Sequence, residues 1–358
     1  MPNVLYLLSH KTLTDFEIPI IRNRGYNCYI PKKFNSLSSV NSINYTTPFL
    51  CDEFLDMSQS DIATLNNNDF FDNKPLSMEI IKIINNNFTC IFITLLTSNN
   101  MLKQLIDNFH GKIYFRFFGL DGTNSYRIMM KRMYNGTSYK SDKIQYIFSY
   151  KEIIDFEFSF KDNDIFTPFN SYYIPLGLPD LLIKKNKNTY KPLSNKIAFV
   201  CSRTDDGMNS YYGRIFNKFI DEFKGYEYVI FGKNNNKISH LPYVKNNLDD
   251  KEYYRQISEC KCLFYHSTEE RHLHYHPLEA IIIGIPIIFF EKSLLSTAFL
   301  NNSDGKCKNY DEIKIKINKI INNDEKFINS IINYQNKVIS KLLISTNLDI
   351  FDKLFSIN

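Results

Sequence analysis

Short apolar runs recur along this chain at the spacing of strands, and stretches with a helical apolar period separate them. In the first half, "VLYLL", "CIFITLL" (90–96) and "GKIYFRFFG" (111–119) alternate with "SMEIIKIINNN" and "DGTNSYRIMMKRMY"; "KIQYIFSY" and "SYYIPLGLPD" follow. In the second half, "KIAFVCS", "YEYVIFG", "KCLFYHS" and "IPIIFF" alternate with "YYGRIFNKFIDEF", "DDKEYYRQISEC" and "PLEAIIIG". Strands that are apolar throughout are buried on both faces, and strands alternating with helices build a parallel sheet covered on both sides. The pattern breaks once, at the polar, basic "LLIKKNKNTYKPLSN" (181–195), and then restarts. The expected architecture is α/β, with one parallel-sheet domain over 1–180, a linker at 181–195 and a second domain over 196–335. The tail reads as helical almost throughout, and 336–358 is expected to pack back on the first domain. Two such domains face each other across a cleft at the carboxyl ends of their strands, where ligands of open α/β sheets bind.

The 358 residues suffice for two ordinary cores, and 44% hydrophobic with 15% aromatic content describes a globular chain. Basic residues number 43 against 38 acidic, for a net charge of +5. That balance lacks the concentrated basic stripe of a nucleic-acid binder, so no nucleic-acid partner is expected. The seven cysteines form no Cys-x-x-Cys pair, which points to reduced thiols in a cytoplasmic protein. "MPNVLYLLSHK" lacks the basic leader and cleavage site of a signal peptide. The longest apolar run, Ala280 to Phe290, is too short to span a bilayer and is broken by Gly284 and Pro286. Cytoplasmic localisation is expected, with contact at the membrane face no more than peripheral. No Gly-x-Gly-x-x-Gly follows any expected strand, which argues against an NAD-dependent oxidoreductase.

The order of motifs in the second half resembles the donor-binding domain of the GT-B glycosyltransferase superfamily. A strand and loop with a basic residue come first, followed by a strand ending in Gly ("YVIFGK"), a helix opening on acids ("DDKEYYRQISEC") and a strand ending in Ser ("CLFYHS"). "PLEAIIIGIPIIF" completes the series, with Glu279, Gly284 and Pro286 at the family spacing. The similarity runs from Lys196 to Phe290; the first half agrees only as an α/β domain. It implies a GT-B fold, two Rossmann-like domains, and a nucleotide-sugar as co-substrate with no metal or other cofactor. This chain departs from many retaining members just ahead of Glu279. There "EERHLHYHP" replaces their Glu and glycine-rich turn, so their detailed chemistry is not carried over.

The candidate donor-binding residues follow. Glu279, two residues after Pro277, falls in the first turn of a helix, whose amide groups and dipole suit a phosphate. The resemblance assigns this Glu the ribose hydroxyls; the alternative is a carboxylate that only stabilises the helix start. His266, His272, His274 and His276 crowd four of the seven histidines into eleven residues. Read as extended chain, His272, His274 and His276 would share one face. Donors to phosphate and sugar are the expected role of His266, His274 and His276, with Ser267, Thr268 and Glu270 beside them; His272 reads as a surface residue. A zinc site is not expected. Ser202 and Arg203, after the first strand of this half, and Gly232 and Lys233, after the second, complete the donor-binding set, since Arg can grip a phosphate bidentately.

Catalytic candidates are fewer. Asp121, between Gly119 and Gly122, is placed at the lip of the cleft as the base that deprotonates an acceptor hydroxyl, or as an Asp-Gly turn residue. His10, after the first strand, is a second candidate base. Asp205 either acts on the sugar or belongs to an acidic loop before the next helix. The expected activity is transfer of a sugar to a glycan or lipid-linked glycan acceptor in surface polysaccharide synthesis (capsule, O-antigen or lipopolysaccharide), with contact to the inner membrane or an assembly complex. The donor is a nucleoside diphosphate sugar or a CMP-activated acidic sugar such as Kdo. The alternative is a non-catalytic nucleotide- or glycan-binding protein that keeps the fold.

Overall fold

The computed structural model describes residues 2–7, 11–31, 50–51, 57–70, 74–93, 99–117, 119, 143–150, 171–174, 177–178, 190–342 and 348–355. The chain forms two compact units, one of 1–179 with 342–358 and one of 180–341.

In the first unit, β1 (Asn3–Leu7), β2 (Asn27–Ile30), β3 (Leu50–Cys51), β4 (Cys90–Ile93), β5 (Lys112–Phe117), β6 (Ile144–Phe148) and β7 (Ser171–Tyr173) form a seven-stranded sheet in the order β3-β2-β1-β4-β5-β6-β7. All pairings are parallel except β3 against β2, an antiparallel edge of two residues. The interior strands are buried along their length, as continuous apolar runs require. Helices α1 (Lys11–Arg22), α2 (Gln59–Asn66), α3 (Met78–Asn87) and α4 (Asn99–Asn108) belong to the same unit. Ser58 and Ser77 cap α2 and α3 by accepting from Asp61 N and Ile80 N. Arg116 of β5 is a charge in this core, only 1% exposed. Its Nε donates to Glu17 Oε1 at 2.7 Å and its Nη1 to Ser149 Oγ at 3.0 Å, while Tyr6 Oη donates to Glu17 Oε2 at 2.6 Å.

In the second unit, β8 (Ile197–Val200), β9 (Tyr228–Gly232), β10 (Val244–Asn246), β11 (Cys262–Tyr265), β12 (Ile287–Phe290) and β13 (Lys306–Cys307) form a wholly parallel sheet in the order β10-β9-β8-β11-β12-β13. The chain runs outward from β8 through β9 to β10, then returns to β11 on the other side of β8. The switch point between β8 and β11 leaves the loops after these two strands adjacent at the carboxyl edge. Helices α5 (Tyr211–Glu222), α6 (Asp250–Ser258), α7 (Tyr275–Ile283), α8 (Tyr310–Ile321) and α9 (Glu325–Ile339) complete the unit. Its core includes Phe199 and Phe219, stacked at 3.9 Å, with Phe264, Ile288, Ile313 and Ile317. The helical tail is interrupted at Asn323, whose φ of 58° is left-handed, and Asp324 restarts it by accepting from Phe327 N.

Residues 336–339 continue α9, so the return to the first unit begins at 342 instead of the expected 336. There α10 (Leu348–Leu354) places Phe351 and Leu354 in the core with Val4, Phe92 and Tyr114, and Phe355 stacks on Phe92 at 5.6 Å. Six cysteines are buried free thiols. Burial pushes those of Cys90, Cys201, Cys260 and Cys307 up to about 12, which keeps them protonated and unreactive. No helix among the described residues is long and apolar enough to cross a membrane.

Candidate functional site

The loop after β8 is fixed from below by one side chain. Asn235 is fully buried; its Oδ1 accepts from Thr204 N at 3.0 Å and Thr204 Oγ1 at 2.8 Å, and its Nδ2 donates to Cys201 O at 2.7 Å. Gly232 admits this approach, because a Cβ there would lie 2.1 Å from Cys201 O. Ser202 Oγ accepts from Lys233 N at 3.1 Å and Arg203 N donates to Lys233 O at 2.8 Å, so the loops after β8 and β9 move as one body. Arg203 takes φ 66°, a left-handed conformation that costs a non-glycine residue about 1–2 kcal/mol. Strain of this kind concentrates at functional sites. Its guanidinium lies 5.6 Å over the Tyr212 ring and pairs with Asp206 at 2.8 Å.

Asp205 is a brace in this loop. Its Oδ2 accepts from Asn236 N and Asn236 Nδ2, and its Oδ1 from Lys237 N, all within 2.9 Å. Burial alone would raise its pKa; the hydrogen bonds from Lys237 and Asn236 outweigh that and lower it. A carboxylate that accepts from two backbone amides caps the turn, which is the loop role among the two readings of Asp205.

The loop after β11 brings the four histidines together, though not as an extended face, because His276 lies inside α7. Ring centroids are 4.5 Å apart for His272–His274, 5.3 Å for His274–His276 and 5.7 Å for His266–His274. Tyr265 is buried beneath them, 5.3 Å from the His276 ring, with its hydroxyl 3.2 Å from His274 Nδ1. Burial is the first cause that holds these rings uncharged: His266 falls to about 4, and His274 and His276 lie well below the ordinary value, with neighbouring histidines adding to the effect. Among the described residues, no group of three or more His, Cys, Asp or Glu is arranged to hold a metal. Ser267 is buried and accepts from Glu269 N at 3.2 Å, whereas Thr268 and Glu270 are exposed.

Helix α7 begins at His274, which serves as N-cap without a side-chain cap hydrogen bond, with Pro277 in the first turn. It ends at Gly284, whose φ of 85° lets Ile285 N reach back to Ala280 O at 3.1 Å. Gln335, fully buried on α9, locks the turn that follows: its Oε1 accepts from Ile287 N at 2.9 Å and its Nε2 donates to Ile285 O at 2.8 Å.

Glu279 faces α6, where Tyr254 Oη donates to its Oε1 at 3.1 Å. Desolvation raises the carboxyl to about 7. Tyr254 and Tyr253 hydroxyls and the Lys233 charge pull it down, and Asp250 pushes it up.

Ser202, Arg203, Gly232, Lys233 and the segment from His266 to Glu279 are thus carried by loops and one helix start on the same edge of one sheet. Tyr253, Tyr254, Asn235 and Gln335 were not among the expected residues; the aromatic pair in "DDKEYY" was their one visible trace. Asp121 and His10 lie outside the described residues.

No protein-family model matches the chain, and no curated protein matches its sequence. Solved structures do. The beta-glucosyltransferase of T4 phage in complex with UDP-glucose aligns over 100% of both chains at 12% identity and a TM-score of 0.53. HepE of Anabaena in complex with UDP-glucose aligns over 100% of both chains at 10% identity and a TM-score of 0.62. The chain has the GT-B fold. At such low identity the likeness concerns architecture alone.

Proposed function

We propose that this protein is a nucleotide-sugar-dependent glycosyltransferase whose donor binds at the carboxyl edge of the second sheet. The observation that carries the reading is Glu279: a desolvated carboxyl at a helix start, held by Tyr254, beside the loops after β8 and β9. Its Oε2 accepts a ribose hydroxyl, the opening of α7 faces the phosphates, and Arg203 and Lys233 supply positive charge to the departing diphosphate. On this account the reaction needs no metal.

A nucleoside diphosphate hexose is favoured over CMP-Kdo. A carboxylated sugar calls for cationic side chains, and burial holds His266, His274 and His276 uncharged. The T4 phage and Anabaena proteins solved with UDP-glucose agree with that choice of donor class. One of these neighbours is a DNA-modifying enzyme. The near balance of charge in the present chain supports instead a glycan or lipid-linked glycan acceptor, in surface polysaccharide synthesis at the cytoplasmic face of the membrane. Asp121 is proposed as the base that deprotonates the acceptor, with His10 as the other candidate.

Thermal-shift measurement against UDP, GDP, CDP and CMP tests this directly, since a ligand of the native state raises stability by mass action. One nucleoside diphosphate should stabilise the wild type and fail to stabilise Glu279→Ala. Silence towards all four sinks the proposal. A nucleotide shift without turnover of any sugar donor would instead mark a binding protein that keeps the fold.

A further inference from the structure

The His-rich loop contains a donor whose direction can be worked out by counting hydrogens. Tyr265 Oη has one proton and two acceptor positions. The backbone N–H of His274 donates to it at 3.4 Å, and the Ser267 side chain hydrogen-bonds the same oxygen. Burial keeps the phenol protonated. When the Ser267 hydroxyl donates to this oxygen beside the His274 N–H, the phenol's proton is left for His274 Nδ1, at 3.2 Å. A ring whose Nδ1 accepts carries its proton on Nε2. His274 Nε2 is buried and has no hydrogen-bond partner, and neither has Nε2 of His276, a residue only 8% exposed. Two orphaned ring nitrogens stand at the start of α7, each at a cost of about 1–3 kcal/mol unless something completes them.

We infer that Tyr265 locks His274 into the tautomer with its proton on Nε2, and that this N–H donates to a phosphate oxygen of the nucleotide at the opening of α7. The inference rests on the nucleotide-binding reading above and adds the device that aims the donor. His274 is surrounded by Tyr265 and His266 from β11 and its flank, Tyr212 from α5, and His272 and His276 from its own segment. None of these five is a carboxylate. The phosphate is then held by oriented N–H groups, with the formal positive charge left to Arg203 and Lys233.

Long-range proton–nitrogen correlation on histidine-labelled full-length protein reads the tautomer without a ligand. His274, assigned through the signal lost in His274→Gln, should show a protonated Nε2 and a bare Nδ1 at pH 7. Tyr265→Phe should return it to a mixture of tautomers, an effect that loss of packing alone would not produce. Adding UDP should move the Nε2 resonance. His274→Gln, which keeps an uncharged N–H, should hold UDP within about threefold, and His274→Leu should lose about tenfold or more. A proton on Nδ1, a charged ring at pH 7, or bound UDP with an unmoved Nε2 would overturn the inference. If none of UDP, GDP, CDP and CMP raises the wild-type melting temperature, the donor-site reading fails while the tautomer result stands on its own.

Discussion

Replacing Glu279 by Gln isolates what the carboxylate costs the empty protein. The folded environment raises this group from 4.5 to about 7, mainly by desolvation. A raised pKa means that the native state holds the proton more tightly than the unfolded chain. The stabilising contribution of the protonated form is therefore complete below 4.5 and is lost as pH climbs through 7. A shift of that size corresponds to a cost of about 3 kcal/mol at pH 8 and about 1 kcal/mol at pH 5.5, both upper values because the side chain keeps some solvent contact. Gln has the same shape, retains an oxygen for the Tyr254 proton, and removes the charge.

The nucleotide-free variant should thus be more stable than the wild type, by up to about 3 kcal/mol at pH 8 and by much less at pH 5.5. For a unit of this size each kcal/mol is worth about 2–4 °C in melting temperature. Chemical denaturation at the two pH values, with thermal melts alongside, measures the difference. Nucleotide at a hundredfold excess over Kd should reverse the order at pH 5.5 and nearly cancel it at pH 8, because the wild type gains about 2.7 kcal/mol and the variant little. If Glu279→Gln is no more stabilised relative to wild type at pH 8 than at pH 5.5, the carboxylate is not held in a desolvated state and the reasoning fails.

Two further substitutions test the frame around the site. Gln335→Leu strips the partners from Ile287 N and Ile285 O and should cost about 2–5 kcal/mol in denaturant midpoint analysis, a loss too large for a surface-type residue. In the first unit, Arg116→Met leaves the buried Glu17 carboxylate without its cation and should cost about 3–5 kcal/mol. Adding Glu17→Gln should recover much of that loss, and a strictly additive double variant would refute the pairing.

The alternation of apolar runs and helical periods revealed the two sheets because a strand buried on both faces has little room for polar residues: "NVLYL", "IAFV" and "CLFY" could hardly be read otherwise. Three of the strands without a legible run lie at sheet edges, and the fourth, β2 ("NCYI"), is a buried interior strand of only four residues. The β10 segment "VKN" and the β13 segment "KC" each have one neighbour and polar side chains, and β3 is two residues long. The places of Glu279, Gly232 and the Ser202–Arg203 pair in the fold were legible because each sits at the end of a strand or the start of a helix, where spacing along the chain sets position in space. Tyr254, Asn235 and Gln335 act across 25, 31 and about 50 residues of sequence, and no local pattern distinguishes them from a surface phenol, a loop Asn or a polar helix residue.

Asp205 is a position where two readings share one trace. Two adjacent acids in a loop look like chemistry, yet a carboxylate that accepts backbone N–H groups leaves the same trace in a sequence. The histidines add a third case, in which the residues were legible and their charge was not. Four rings in eleven residues read as donors to phosphate and sugar, charged or uncharged. Packed over Tyr265, His266, His274 and His276 are desolvated and held uncharged, so these three become uncharged donors and acceptors. The change bears on substrate. A loop of neutral imidazoles discriminates by direction more than by charge, which fits a diphosphate set at a helix start better than a second carboxylate on the sugar. The burial of one ring cluster thereby argues for the donor class that motif order alone left open.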